Sequence, residues 1–174
     1  MATSLIRIAD QAERLVRLVG HVAAWSALLL VLLVAGNVLG RYLLGIGSVA
    51  AQELEWHVMA FGALFGMAYG INQGAEVRVD VLYERFGPRT RLIVDLIGTL
   101  GLLVVSLALA WFAIGYVMQS YAMNEGSPDP GGLSQRYLLK GLLPAAFLLL
   151  AIQAAGMTLV NIARLIAPAD LRPE

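Results

Sequence analysis

Cysteine is absent from this 174-residue chain, and histidine occurs only twice, as His21 and His57. The first absence excludes disulfides, thiolate nucleophiles and iron–sulfur ligation. The second leaves no histidine-based metal or haem centre to expect. His57 stands in ELEWH, which offers no second ligand set, and His21 falls most of a bilayer away along the chain. No metal, cofactor or catalytic constellation is therefore expected. Charge is also scarce. Only 14% of residues are Asp, Glu, Lys or Arg, against about 25% in ordinary soluble domains. Twelve basic and twelve acidic residues cancel, which argues against nucleic acid as a partner.

What the chain has instead is long apolar runs. No charge occurs between Arg17 and Arg41, Glu55 and Glu76, Asp95 and Glu125, or Lys140 and Arg164. Each run approaches or exceeds the roughly 20 residues that a helix needs to cross a bilayer. None alternates as a barrel strand would. The expected fold is an all-α integral membrane protein: one membrane domain over 1–174, with four transmembrane helices near 21–44, 50–73, 92–122 and 138–165. The first run is too long for a signal-peptide core and is expected to remain as a span. Ahead of it, Leu5, Ile8, Ala9, Ala12, Val16 and Val19 recur at helical spacing, opposite Arg7, Asp10, Gln11, Arg14 and Arg17. This predicts an amphipathic surface helix over 4–19, the alternative being an extension of the first span into water.

Nine arginines (7, 14, 17, 78, 85, 89, 91, 164 and 172) fall on one side of these spans; Arg41, Arg136 and Lys140 fall on the other. The positive-inside rule then places both termini and the second-to-third connection in the cytoplasm of a multi-pass protein. In that connection Asp80 is expected to cap a short helix over 81–86, with Gly87-Pro88 opening the next one. The outer connection, NEGSPDPGGLSQRY, has two prolines and a glycine pair and predicts a rigid turn segment. Pro144 is expected to kink the fourth span.

Four polar residues flank the first hairpin. With Gly47 as its apex, Arg41 and Glu53 lie six residues either side, about 9 Å down at 1.5 Å per residue. Asn37 and His57 lie ten either side, about 15 Å down. Residues four apart share a helix face, so the spacing predicts an Arg41–Glu53 ion pair above an Asn37–His57 contact, with Glu55 turned away. The structural reading is a clasp for helices one and two; the functional one is an ion or proton site. A pathway needs ionisable groups deeper in the membrane, and the inner halves of the spans offer none. The second feature is Gly62, Gly66, Gly70 and Gly74, a row at every fourth residue. In lipid, where burial supplies no drive, such a row lets another backbone approach, either helix one or another protein.

These motifs carry a resemblance. NVLGRY, QELEW, GMAYGINQGAEVRVDVLYERFGPRTR and EGSPDPGGLSQRYLLKGLLPAAFLLLAIQ resemble, in order and spacing, the small membrane subunit of TRAP transporters, the DctQ-like family. Glu76 stands where histidine is frequent in that family. The resemblance covers residues 20–160 and implies the small subunit of a tripartite, sodium-coupled importer of organic acids in the bacterial inner membrane. Its partners would be a large membrane subunit of elevator type, a periplasmic substrate-binding protein, and membrane lipids. Substrate and sodium would bind the large subunit, leaving this chain a scaffold. Glu125, Asp129 and Arg136 become candidates for touching the binding protein, against the alternative of a solvated loop. A competing reading is a self-contained four-helix transporter acting as a homo-oligomer. That reading needs an embedded carboxylate, and only Glu53 is available.

Overall fold

A computed structural model describes residues 2–75 and 83–166 of the chain. Four long helices account for most of them: α1 Ala2–Leu44, α2 Val49–Asn72, α3 Pro88–Ala122 and α4 Tyr137–Ile166. Three of these, α1, α3 and α4, are both long and apolar enough to cross a membrane. With 24 residues, α2 reaches about 36 Å, but Gln52, Glu53, Glu55 and His57 make its first turns more polar. The four expected spans thus coincide with four helices, of which three satisfy length and composition together.

Local chemistry explains the ends. The α1–α2 turn opens with Gly45 at φ +65°, and the Ser48 hydroxyl caps α2 by accepting the Ala51 amide at 3.3 Å. Gly74, at φ +69°, closes α2, with the Ala75 amide returning to the Gly70 carbonyl. Gly87 and Pro88 start α3 as expected, with proline in its first turn. This start lies four residues ahead of the expected 92. The expected cap Asp80 and residues 81 and 82 of the short helix expected over 81–86 lie outside the described residues; 83–86 form a turn, with the Phe86 amide donating to the Tyr83 carbonyl at 3.1 Å.

The N-terminal region departs from expectation. In place of a surface helix over 4–19 and a separate span, α1 runs unbroken for 43 residues, about 65 Å. No proline or glycine pair interrupts it. Part of the apolar stripe that suggested a lipid-facing surface is used within the molecule: Ala9 and Val16 are fully buried, and Gly156 of α4 approaches Ala9 and Ala12. Ile8, on the same stripe, remains exposed.

The other helices assemble on α4. It packs on α1, α2 and α3, whereas α3 makes its extensive contact with α4 alone. The residues that α4 buries are largely small: Ala146, Ala151, Ala154, Gly156 and Ala163, with Leu149 and Leu150 joining Val16 and Ala68 in the core. Small residues let helices come close and gain dispersion contacts where lipid supplies no hydrophobic drive. Amide side chains add bonds between helices: Asn72 donates to Gln153 at 3.1 Å and Asn161 to Thr99 at 3.4 Å. Pro144 lies inside α4 and leaves the Lys140 carbonyl without its usual helical donor.

The α1–α2 seam has a seven-residue repeat, the spacing of antiparallel helices crossing at a shallow angle. On α1 it follows Val16, Ala23, Leu30 and Asn37, and on α2 Glu55, Gly62 and Tyr69. At Gly20 a side chain would overlap the Tyr69 ring, and at Gly62 it would overlap the Ser26 hydroxyl. Gly36 faces open space. Gly20→Leu is therefore expected to destabilise the chain by about 1–3 kcal/mol through overpacking. Gly36→Leu is expected to leave the thermal midpoint in detergent unchanged.

Candidate functional site: an outer polar latch

Glu53 is the only charged residue among the described ones that is buried, at 7% exposure. Its carboxylate does not meet Arg41. One oxygen accepts the Ser127 hydroxyl and lies 3.7 Å from an Arg136 nitrogen; the other accepts the Leu133 amide at 2.6 Å. All three partners belong to the segment joining α3 to α4 or to its last residue. The expected clasp within the first hairpin is replaced by a latch between α2 and the outer connection.

The reason is rotational. Successive helical residues turn by about 100°, so Glu53 and Glu55 point to nearly opposite sides of α2. The seam through Gly62 and Tyr69 puts Glu55 against α1, where Asn37 donates to it at 2.9 Å. Glu53 consequently faces the outer connection. Glu55 thus takes the place opposite Asn37 that the apex-symmetric reading gave to His57. His57 instead donates from Nδ1 to the Glu53 carbonyl at 2.7 Å, inside its own helix. Arg41 is exposed and makes no ion pair or hydrogen bond among the described residues.

The segment is shaped to receive the carboxylate. The Ser127 amide donates to the Leu133 carbonyl, the Gly132 amide to the Asp129 carbonyl, and the Arg136 amide to the Glu125 carbonyl at 2.9 Å. These bonds fold the chain back on itself, helped by Gly131 at φ +81°. A Cβ at Gly132 would overlap Ser127 and stand 2.9 Å from the Glu53 carboxylate, so glycine is required there. A second ion pair, Lys140 to Glu125, secures the other side, with the Lys140 ammonium 4.0 Å from the centre of the Tyr116 ring. Tyr121 and Tyr137 pack edge-on at 5.2 Å across the ends of α3 and α4.

Of the three residues expected to meet a binding protein, Glu125 and Arg136 are thus engaged within the chain. Asp129 is exposed between Pro128 and Pro130. The glycine row also divides. A step of four residues advances about 40° around a helix, so the row drifts off any one face. Gly62 meets α1, Gly66 borders an α1–α2 groove, Gly70 lines a cleft toward α3, and Gly74 ends the helix.

Sequence reasoning missed Ser127, Leu133 and Lys140. The Leu133 contact is made by its backbone amide and carries no side-chain signal. Lys140 had one, since it stands four residues after Arg136 on the same helical face. The interhelical amides Asn72, Gln153 and Asn161 carry a signal as polar residues inside apolar runs.

Long apolar helices joined by a polar latch define a multi-pass helical membrane protein. The family model for the DctQ component of tripartite ATP-independent periplasmic transporters matches residues 30–165, and the chain belongs to that family, a transporter subunit and not an enzyme. A relative from Rhodobacter capsulatus, the C4-dicarboxylate TRAP transporter small permease protein DctQ, is 33% identical over 85 residues. That stretch is 49% of this chain and 37% of the relative.

Two outcomes follow from the latch geometry. Glu53→Ala removes the acceptor for two hydrogen bonds and the counter-charge of Arg136, and is expected to expose residues 124–136 to protease. Arg41→Ala is expected to leave the cleavage pattern unchanged. The Lys140 ammonium bonded to Glu125, aided by the nearby Arg136 guanidinium, holds the Glu125 carboxyl below its ordinary value, near 4.3 in model peptides. A lowered folded value means that this stabilisation is complete above the unfolded carboxylate range and disappears as pH falls through the folded one. Protease susceptibility of the segment should therefore rise in acid below about pH 4, and Glu125→Gln should flatten that dependence.

Proposed function

We propose that the chain is the small scaffold subunit of a tripartite, sodium-coupled, binding-protein-dependent importer of organic acids, and that it supports a large elevator-type subunit. The carrying observation is the amount of apolar helix left uncovered in a chain of this family. On α3, Trp111 and Phe112 are 74% and 73% exposed, and α1 presents Trp25, Val31, Leu32 and Leu43 in the same way. Faces this broad suit lipid on one side and a larger membrane partner on the other. Sodium coupling and the organic-acid substrate belong, in this reading, to the partner. The dicarboxylate named for the Rhodobacter relative supports the substrate class.

The latch fits the scaffold role. A turn segment held at Glu53, Glu125 and Arg136 offers a fixed outer surface, and Asp129 at its tip is the residue we assign to the periplasmic binding protein. Residues 76–85, with two of the nine arginines on the inner side, then lie in the cytoplasm with both termini. The membrane is the bacterial inner membrane.

Reconstitution tests this reading. Vesicles holding this chain alone are expected to accumulate no organic acid under a sodium gradient. Vesicles that also hold the large subunit and binding protein are expected to accumulate it, and the two membrane chains to co-purify. Uptake by the chain alone would replace the scaffold reading with the homo-oligomeric transporter.

A further inference from the structure

Because α2 and α3 lean on α4 and not extensively on one another, a cleft of about 990 Å³ opens between them. This is the upper end of the size range of small-molecule sites, roughly 300–1,000 Å³. Its walls share one gradient. Toward the middle of the helices it is lined by Met67 of α2, Leu102 of α3 and Leu150 of α4. Toward the α2–α3 connection it is lined by Asp95 of α3, Arg164 of α4 and Glu13 of α1. Apolar and polar ends coincide on separate helices, matching the polarity of one bilayer leaflet from core to headgroup. Two walls lack side chains: a Cβ at Gly70 or Gly98 would meet nothing within 4 Å.

We propose that this cleft holds one zwitterionic phospholipid with a primary-ammonium headgroup, of the phosphatidylethanolamine type. An acyl chain lies between Met67 and Leu102, the phosphate meets Arg164, and the ammonium meets Asp95. Charge complementarity selects this occupant. Among the described residues at the mouth, Glu13 is paired with Arg17 at 3.2 Å. Arg164 and Asp95, one guanidinium and one carboxylate, therefore match a phosphate joined to an ammonium, whereas a headgroup lacking the ammonium would leave Asp95 without a counter-charge. An apolar helix from another protein would bury the Arg164 guanidinium without a counter-charge and leave Asp95 only the Tyr83 hydroxyl, which is costly. Asp95 is already oriented by the Tyr83 hydroxyl at 2.8 Å. Naming the leaflet as cytoplasmic rests on the orientation proposed above; the occupancy does not.

Native mass spectrometry of the purified chain, incubated with phosphatidylethanolamine or phosphatidylglycerol, tests the proposal without any transport readout. The wild type is expected to retain one phosphatidylethanolamine. Gly98→Leu and Arg164→Ala are each expected to cut that retention at least fivefold. Gly101→Leu, at an exposed α3 position outside the cleft, is expected to leave it intact. If Gly98→Leu does not fold, Gly70→Leu fills the cleft from the opposite wall. Unchanged retention in a folded cleft-filling variant would overturn the proposal, as would equal or stronger retention of phosphatidylglycerol. In the native complex, a photoreactive acyl chain should label Met67, Leu102 or Met157. Labelling confined to the outer faces of α1 and α3, or protein crosslinks from position 102, would also overturn it.

Discussion

A single buried carboxylate organises the end of this protein at which α2 begins and α3 joins α4. Glu53 emerges from the second turn of α2 with its charge largely shielded from water, a placement that is tolerated only when donors surround it. The partners come from more than 70 residues along the chain: the Ser127 hydroxyl and the Leu133 amide donate hydrogen bonds, and the Arg136 guanidinium adds an ion pair. A bond between such distant residues closes a large loop of chain. It ties α2 to the connection between α3 and α4 at their outer ends. Without extensive packing between α2 and α3, this link sets their spacing at one level of the molecule.

Beneath the latch the structure depends on proximity more than on charge. A water-soluble bundle is held by burial of apolar area, and helices surrounded by lipid have no such drive. The α4 helix answers with alanines and Gly156 against α1 and with amides toward α2 and α3. Interhelical hydrogen bonds of this kind average about 0.6 kcal/mol in membrane proteins, too little to hold a helix unaided but enough to fix its rotation. Where a neighbouring side chain packs directly on a glycine, Tyr69 on Gly20 and Ser26 on Gly62, no larger residue fits. Where the helices diverge, between α2 and α3, the cleft remains.

Much of this architecture was legible from composition and periodicity. Four charge-free runs located four helices to within a few residues at most ends, because a helix crossing hydrocarbon must keep charge out of about 20 consecutive residues. Gly87-Pro88 correctly opened α3, since proline's missing amide and fixed φ suit the first turn. The continuity of α1 was less legible. An amphipathic stripe records only that one face avoids water, and it reads the same whether lipid or α4 covers that face. The polar ladder failed for a related reason. Distance from a turn fixes depth, but rotation about the helix axis fixes partners, and the seven-residue seam through Glu55, Gly62 and Tyr69 carried that information. Partners contributed by a backbone amide, such as Leu133, leave no trace in side-chain patterns.

The most direct measurement of the latch is amide hydrogen exchange at Leu133 in the intact chain. This position lies in an outer turn segment with neighbours exposed to water, where an amide would ordinarily exchange quickly. If Glu53 holds its proton, exchange at Leu133 is slow in the wild type and accelerates by at least tenfold in Glu53→Ala, without general loss of protection in the helices. Rapid exchange at Leu133 in the wild type, or equal rates in the two proteins, would contradict the account.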